Sequence, residues 1–424
     1  MRKKAGRGIT VQYVPPRVSI SPLTDALQMH VRSTAVPIFS IAYLGEAEAS
    51  ATESLRHRVV YAGGGGSSKT GVGNVIVTAE VGEFSLVELC QLDTGSDLCS
   101  FVCVGRRQKT MLVSVFGNKF RLCKLSNFGK LIAFASDCYV SDLKDQNPSI
   151  NCCAVNGAKD HLLAVGGDDG MLRIWTVCNE GSVFTCMLAK TCRPGHTSSI
   201  TDCSFSESGH LVATSSKDGT CRVWSLGTGH SLCKVLTNYA MLPTLTDRCC
   251  RKTANFIVRA CKFVGDDCLI SVQSAFRGNA YAAKWTLRTK SKDECEVLPV
   301  TLTATRMISR HPVSAVGISG DFIAHGNVEG YVSITSTSSF APVGGCVQAH
   351  ELPVTALVVA GACTRGNASP CILSVSADYR LVATSLTHLS RRRKIICAAL
   401  SVLFAILAVS LGPCLVPRPL EAFK

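Results

Sequence analysis

The sequence has no paired-cysteine metal motif: none of its 23 cysteines falls in a C-x-x-C pair, and no His/Cys cluster has zinc spacing. That argues against a metal site. It also lacks a long apolar run near Met1, so no secretory signal peptide is expected. No nucleophile stands near a base at a convincing spacing, which argues against a hydrolase or transferase. Charge is scarce at 17%, while apolar residues reach 46%; the chain is therefore expected to fold. The net charge of +14 is spread thinly, with small clusters only at Arg2–Arg7 and Arg391–Lys394. With no basic recognition helix, nucleic acid is not an expected partner; an anionic membrane surface explains the same charge.

What the sequence does have is a succession of short β-branched or apolar runs separated by Gly, Asp, Asn or Ser turns, starting at Val36. Two segments can be laid over each other: LLAVGGDDGMLRIWTV (Leu162–Val177) and LVATSSKDGTCRVWSL (Leu211–Leu226). In each, an Asp-Gly turn is followed by tryptophan six residues after the aspartate. The pairs are Asp169 with Trp175 and Asp218 with Trp224, set 49 residues apart. Asp-Gly suits a tight hairpin, and a period near 49 is that of a propeller blade. Weaker copies over 258–287, 313–335 and 354–386, with two more upstream, bring the number to about seven.

These units resemble WD repeats. The spacing His196…Asp218…Trp224 matches that family's hydrogen-bonded framework, although Trp175-Thr176 and Trp224-Ser225 replace Trp-Asp. His350 and Asp378 form a partial copy without tryptophan. The fold expected is an all-β, seven-bladed WD-repeat β-propeller over 35–390, after an N-terminal segment 1–34. Strand Ile9–Val14 is one candidate for completing the last blade. The cysteines, many inside expected strands, read as small buried hydrophobes in a reducing compartment. Glu46–Arg58 and Leu236–Ala254 read as solvated loops.

The last segment is of another kind. Ile395–Val416 holds 22 residues without a charge. At about 1.5 Å per residue it would span roughly 33 Å of helix, enough for a bilayer core of about 30 Å. Arg391–Lys394 before it would keep the propeller in the cytosol, leaving Pro417–Lys424 as a short lumenal tail. The endoplasmic reticulum is the default membrane, and the mitochondrial outer membrane is the alternative.

One stretch remains outside this grammar. Between the apolar runs of Val59–Val81 lie Gly63, Gly64, Gly65 and Gly66, then Ser67, Ser68, Lys69, Thr70, Gly71, Val72, Gly73 and Asn74. As a phosphate loop it fails, because Ser68 stands where the final glycine belongs and the strand-like VIVTAEV follows where a helix is required. As a tight turn it is far too long. Set in the first blade of a propeller with a C-terminal membrane helix, GGGGSSKTGVGN and the preceding PIFSIAYL resemble the Sec-twelve (prolactin regulatory element-binding) family. The resemblance implies a guanine nucleotide exchange factor for the small GTPase Sar, active in COPII coat assembly at the endoplasmic reticulum membrane. Such a factor does no covalent chemistry of its own and holds no nucleotide. In that family the loop binds a potassium ion and reaches the GTPase. By that likeness Gly63–Gly66 would shape the backbone, and Lys69, Thr70, Gly71 and Asn74 would meet the ion or the GTPase. The competing reading is a non-catalytic membrane-anchored scaffold or cargo adaptor.

Overall fold

In a computed structural model, the described residues run from 26 to 387. Left out within that range are 48–55, 68–69, 83–84, 106–110, 127–129, 135–136, 141–147, 159–160, 181–182, 228–230, 237–255, 276, 288–299 and 361–370. Ile9–Val14 and the whole of 388–424, with the expected membrane helix, fall outside them. Among the described residues no helix is long and apolar enough to cross a membrane.

The described chain forms seven antiparallel sheets arranged as a seven-bladed propeller. Blade 1 comprises β1's successors β2 (Ile38–Glu46), β3 (His57–Gly63), β4 (Asn74–Val81) and β5 (Leu86–Gly95), where β1 is Ala26–Ser33. Blade 2 has β6 (Phe101–Val104), β7 (Met111–Phe116) and β8 (Lys119–Leu125). Its outer position is shared by β9 (Leu131–Phe134) and β10 (Cys138–Tyr139), which pair with opposite ends of β8. Blade 3 is β11 (Ile150–Val155), β12 (Leu162–Gly167), β13 (Leu172–Glu180) and β14 (Val183–Cys192). Blade 4 is β15 (Ile200–Phe205), β16 (Leu211–Ser216), β17 (Thr220–Ser225) and β18 (Ser231–Leu236). Blade 5 is β19 (Phe256–Phe263), β20 (Cys268–Ala275), β21 (Ala280–Leu287) and β22 (Val300–Ser309). Blade 6 is β23 (Val313–Ser319), β24 (Phe322–Asn327), β25 (Tyr331–Ser336) and β26 (Val347–Gln348). Blade 7 takes β27 (Val354–Ala360), β28 (Cys371–Ser376) and β29 (Arg380–Thr387), and is completed by β1.

The residues explain which strand goes where. A second strand is covered by a neighbouring blade on both faces, so it must be small or apolar at every position, as in LLAVGG and CILSVS. An outer strand has one wet face and alternates, as in LVELCQLDTG. The inner strands pack side by side around the axis, and β27 returns against β2. Hydroxyl and amide side chains bind them in sequence: Thr201 Oγ1 donates to the Val258 carbonyl, Ser314 Oγ to Val354 at 2.7 Å, and Thr355 Oγ1 to Ile38 at 2.7 Å. The hydrophobic core is accordingly divided into inter-blade layers, such as the one joining Val59, Tyr61 and Val77 of blade 1 to Leu373 and Leu381 of blade 7.

Two sequence expectations need correction. The propeller begins at Ala26 and not at 35, because β1 pairs with β29 from Ala26↔Thr387 to Ser33↔Arg380. That pairing supplies the outer strand of blade 7, the role considered for Ile9–Val14. The Glu46–Arg58 excursion is also shorter than expected, since Glu46 pairs with His57 and Gly45 with Arg58 in the ladder. Eight free cysteines, Cys203 and Cys261 among them, are buried as small apolar side chains. Cys138 and Cys186 depart from that pattern and form a disulfide between the outer strands of blades 2 and 3.

Deleting Ala26–Ser33 should strip blade 7 of its outer strand and leave β29 as an open edge. The expected outcome is loss of the cooperative melting transition and aggregation in size-exclusion chromatography; a deletion mutant that melts like the parent would contradict this closure.

Candidate functional site

The segment between β3 and β4 holds ten residues, 64–73, where the equivalent connection of blade 4 holds three, 217–219. Both strands are ordinary up to their last pair, Gly63↔Val75. The chain then passes close to its own neighbours. Gly64 has φ +146°, and a Cβ there would overlap the Asn74 side chain. Gly64 N donates to the Pro37 carbonyl at 3.1 Å, and a Cβ on Gly63 would overlap that same oxygen. No other residue type fits these two positions.

Asn74 organises the loop. It is 2% exposed; its Oδ1 accepts from Gly66 N at 2.9 Å, and its Nδ2 donates to the carbonyls of Gly66 (3.1 Å) and Gly95 (2.9 Å). The amide is thus engaged within the loop base and faces away from solvent. The Asn74 carbonyl accepts from Thr94 Oγ1 at 3.2 Å, and the same hydroxyl donates to the Asp97 carbonyl at 2.6 Å. Thr70 and Gly71 are exposed at the tip, Gly71 with φ +76°, and Val72 N donates to Thr70 Oγ1 at 3.3 Å. Lys69 lies outside the described residues. The base is therefore buried and fixed, and Ser67, Thr70, Gly71 and Gly73 of the loop are exposed.

Beside the base stands a charge cluster that the sequence reading did not single out. Lys119 Nζ lies 2.9 Å from Asp97 Oδ2 and 3.0 Å from Asp137 Oδ2; Arg121 pairs with the same two carboxylates. The Lys119 ammonium and Arg121 hold the Asp97 carboxyl below the usual range, and Arg121 does the same for Asp137. The four residues come from the linker after β5, from β8 and from the segment before β10. Only the propeller brings them together, so no local motif could have announced them.

The tryptophan framework also becomes explicit. In blade 4, Asp218 Oδ2 accepts from His196 Nδ1 (3.0 Å), His196 Nε2 meets Thr214 Oγ1 (2.8 Å), and Trp224 Nε1 donates to that hydroxyl (2.8 Å). Burial would raise the Asp218 carboxyl, but His196 and Thr220 bind its charged form and the net shift is strongly downward. Blade 7 keeps His350, Asp378 and Ser374 but has Thr384 across from Ile372, where blade 4 has Trp224 across from Val212. Blade 3 keeps Trp175 and Asp169 but not the link between them. Val165 fills the hydroxyl position, Trp175 Nε1 has no partner, and Asp169 instead pairs with Arg173 at 2.6 Å. Thus Asp169 and Trp175, set in register with Asp218 and Trp224 by sequence, are not connected. Among the described residues no group of three or more His, Cys, Asp or Glu could hold a metal ion.

The class that this fold and framework define is the WD-repeat propeller, a protein-interaction scaffold. The family model of the WD domain, G-beta repeat, matches residues 137–176 and 187–225. Its second copy runs from β14, the outer strand of blade 3, through β17 of blade 4. Over 156 residues the chain is 29% identical to human apoptotic protease-activating factor 1, covering 36% of this chain and 12% of that protein. Over 94 residues it is 32% identical to Protein ROOT INITIATION DEFECTIVE 3 of Arabidopsis thaliana, covering 21% of each. The matches therefore span only a small part of either relative's length.

Two stability measurements test the framework. Asp218→Asn should cost about 1–3 kcal/mol at pH 7 in urea unfolding. Because the folded value is depressed, the Asp218 contribution is present above the unfolded carboxylate value of about 4 and is lost as pH falls further. The gap between variant and parent should therefore shrink below that pH. Val165→Thr should stabilise blade 3 by about 1 kcal/mol by giving Trp175 an acceptor, whereas Val165→Ala should destabilise it.

Proposed function

We propose that the chain is a guanine nucleotide exchange factor for the Sar GTPase at the endoplasmic reticulum membrane, with the Gly63–Asn74 loop as the element that acts on the partner. The observation that carries this reading is the ten-residue connection of blade 1, held at its base by Asn74, exposed at Thr70 and Gly71, and bearing the sequence likeness to the Sec-twelve family. The uncharged stretch Ile395–Val416 supports a membrane location with the propeller in the cytosol.

Exchange requires no acid, base or nucleophile. A GTPase holds its nucleotide through phosphate and magnesium contacts, and a partner that prefers the empty state weakens nucleotide binding by the same factor that nucleotide weakens the partner. A thousandfold loss of affinity corresponds to about 4 kcal/mol of differential binding. A broad propeller face provides contact area, and a loop rigid at its base can press on the nucleotide site without collapsing. Gly63–Gly66 give the backbone its path; Thr70, Gly71 and Lys69 belong to the part that meets the GTPase. A potassium ion at the loop would bind carbonyl and hydroxyl oxygens of this segment. The buried Asn74 side chain contributes by fixing the base, since its amide is already engaged.

The second reading, a membrane-anchored scaffold or cargo adaptor, draws on the propeller alone. Release of mant-GDP from Sar separates the two. The chain should accelerate release, and replacing residues 64–73 by a three-residue turn should reduce that acceleration at least about tenfold with the melting curve preserved; Asn74→Ala should act in the same direction. Equal release with and without the loop would reject its assignment, and no acceleration by the parent chain would favour the scaffold.

A further inference from the structure

In blades 3, 4 and 6 the turn between the second and third strands follows an acidic residue with a left-handed glycine. These are Gly170, Gly219 and Gly330, with φ of +72°, +79° and +81°. Blade 7 makes the same turn after Asp378, but Tyr379 takes the glycine's place at φ +63°. A large side chain in this region is strained, and glycine would carry the turn without that cost. Its ring gives little back to the core, since Tyr379 is 42% exposed.

A second exchange of the same kind stands beside it. Two residues after the framework histidine, blade 4 has Ser198 and blade 7 has Leu352, which is 46% exposed. The exposed Pro353 follows. Hydrogen bonds tie this connection to the turn: Glu351 N donates to Asp378 Oδ2 at 3.0 Å, and Ser376 Oγ to the Pro353 carbonyl at 2.8 Å. At the rim Arg380 pairs with Glu351 at 2.7 Å.

The patch is continuous with the glycine loop. Thr34 N donates to the Tyr379 carbonyl at 2.9 Å, and Gly64 N donates to the Pro37 carbonyl at 3.1 Å. The short segment Thr34–Pro37 therefore runs from the tyrosine to the root of the loop, with Ala35 exposed along it. Four extended residues span at most about 14 Å. Single apolar residues scattered on a surface need no explanation. Here an aromatic, a leucine and a proline are clustered, and the aromatic is kept at a conformational cost. An apolar anchor inside a polar rim is the usual anatomy of a protein contact.

We propose that Tyr379 and Leu352 form the second half of the partner surface, an apolar anchor that docks the GTPase while the Gly63–Asn74 loop acts on its nucleotide site. This inference rests on the exchange function proposed above and divides the labour within it. The anchor supplies affinity whether or not nucleotide is bound, and the loop supplies the preference for the empty state. The partner is accordingly one with an exposed apolar patch roughly 10–15 Å from its nucleotide site.

The test is mant-GDP release from Sar at increasing concentrations of the full chain in detergent, with Tyr379→Gly and Leu352→Ser beside the parent. Each variant should raise the concentration for half-maximal release at least about tenfold and leave the maximal rate within about twofold. Tyr379→Gly should do so without lowering Tm, because glycine relieves the turn; a tyrosine with a structural role only would show the reverse. Should Tyr379→Gly melt early, Leu352→Ser decides the matter. The anchor is overturned, with the exchange function intact, if the parent accelerates release and the folded variants match it or lower only the maximal rate. It is also overturned if the parent is a dimer in size-exclusion chromatography and either variant a monomer, because the patch would then meet a second copy. No acceleration by the parent would reject the exchange function, and the anchor with it.

Discussion

The pairing of Ala26–Ser33 with Arg380–Thr387 is the contact on which everything else rests. A propeller has no single core. Each blade buries its faces on its two neighbours, so a break at one interface exposes a layer on either side. Joining the first strand to the last sheet ties the two ends of the propeller together in one blade and covers the edge that β29 would otherwise expose. It also explains why the layer between blades 7 and 1 contains residues more than 300 positions apart, Tyr61 and Leu381 among them.

Within that ring the blades solve one packing problem in several ways. Blade 4 uses the full set His196, Asp218, Thr214 and Trp224, in which each polar group has a partner. Blade 5 retains only the tryptophan–hydroxyl bond, Trp285 to Ser271 at 2.9 Å. Blade 7 retains His350 and Asp378, and blade 3 keeps its tryptophan with an unpartnered N–H. Each buried unpaired group costs about 1–3 kcal/mol. The ring tolerates such losses because most of its stability lies in apolar layers between blades. Degeneracy of the framework in sequence therefore does not weaken the architecture, because other buried rings, Tyr61 in blade 1 and Phe340 in blade 6, take up the layer.

The same logic separates the loop of blade 1 from the turns of the others. A three-residue Asp-Gly turn closes a hairpin and does nothing more. The ten-residue connection has a base as well ordered as a strand end, because Asn74 spends its whole amide on Gly66 and Gly95. Beside it, Asp97, Lys119, Arg121 and Asp137 neutralise one another on the neighbouring blade. The exposed Thr70 and Gly71 are thus carried on a fixed, charge-balanced base.

Much of this could be read from the sequence by itself. Repeat spacing, Asp-Gly turns and alternating apolar runs determined the strands, the number of blades and the place of the anomalous loop, because hairpin chemistry and burial patterns are local. Closure was not local. β1 carries no mark that distinguishes it from other short strands, and its partner lies at the opposite end of the propeller. The sequence aligned Asp169 and Trp175 with Asp218 and Trp224, yet their bonding depends on Val165 against Thr214 and on whether a histidine enters from the preceding connection. By family likeness Asn74 fell in the part that would meet the ion or the GTPase, and only the fold shows its amide buried and bonded to Gly66 and Gly95. The charge cluster was decided by tertiary structure alone, since Asp97 and Asp137 reach Lys119 and Arg121 only when the linker after β5 and the segment before β10 fold against β8.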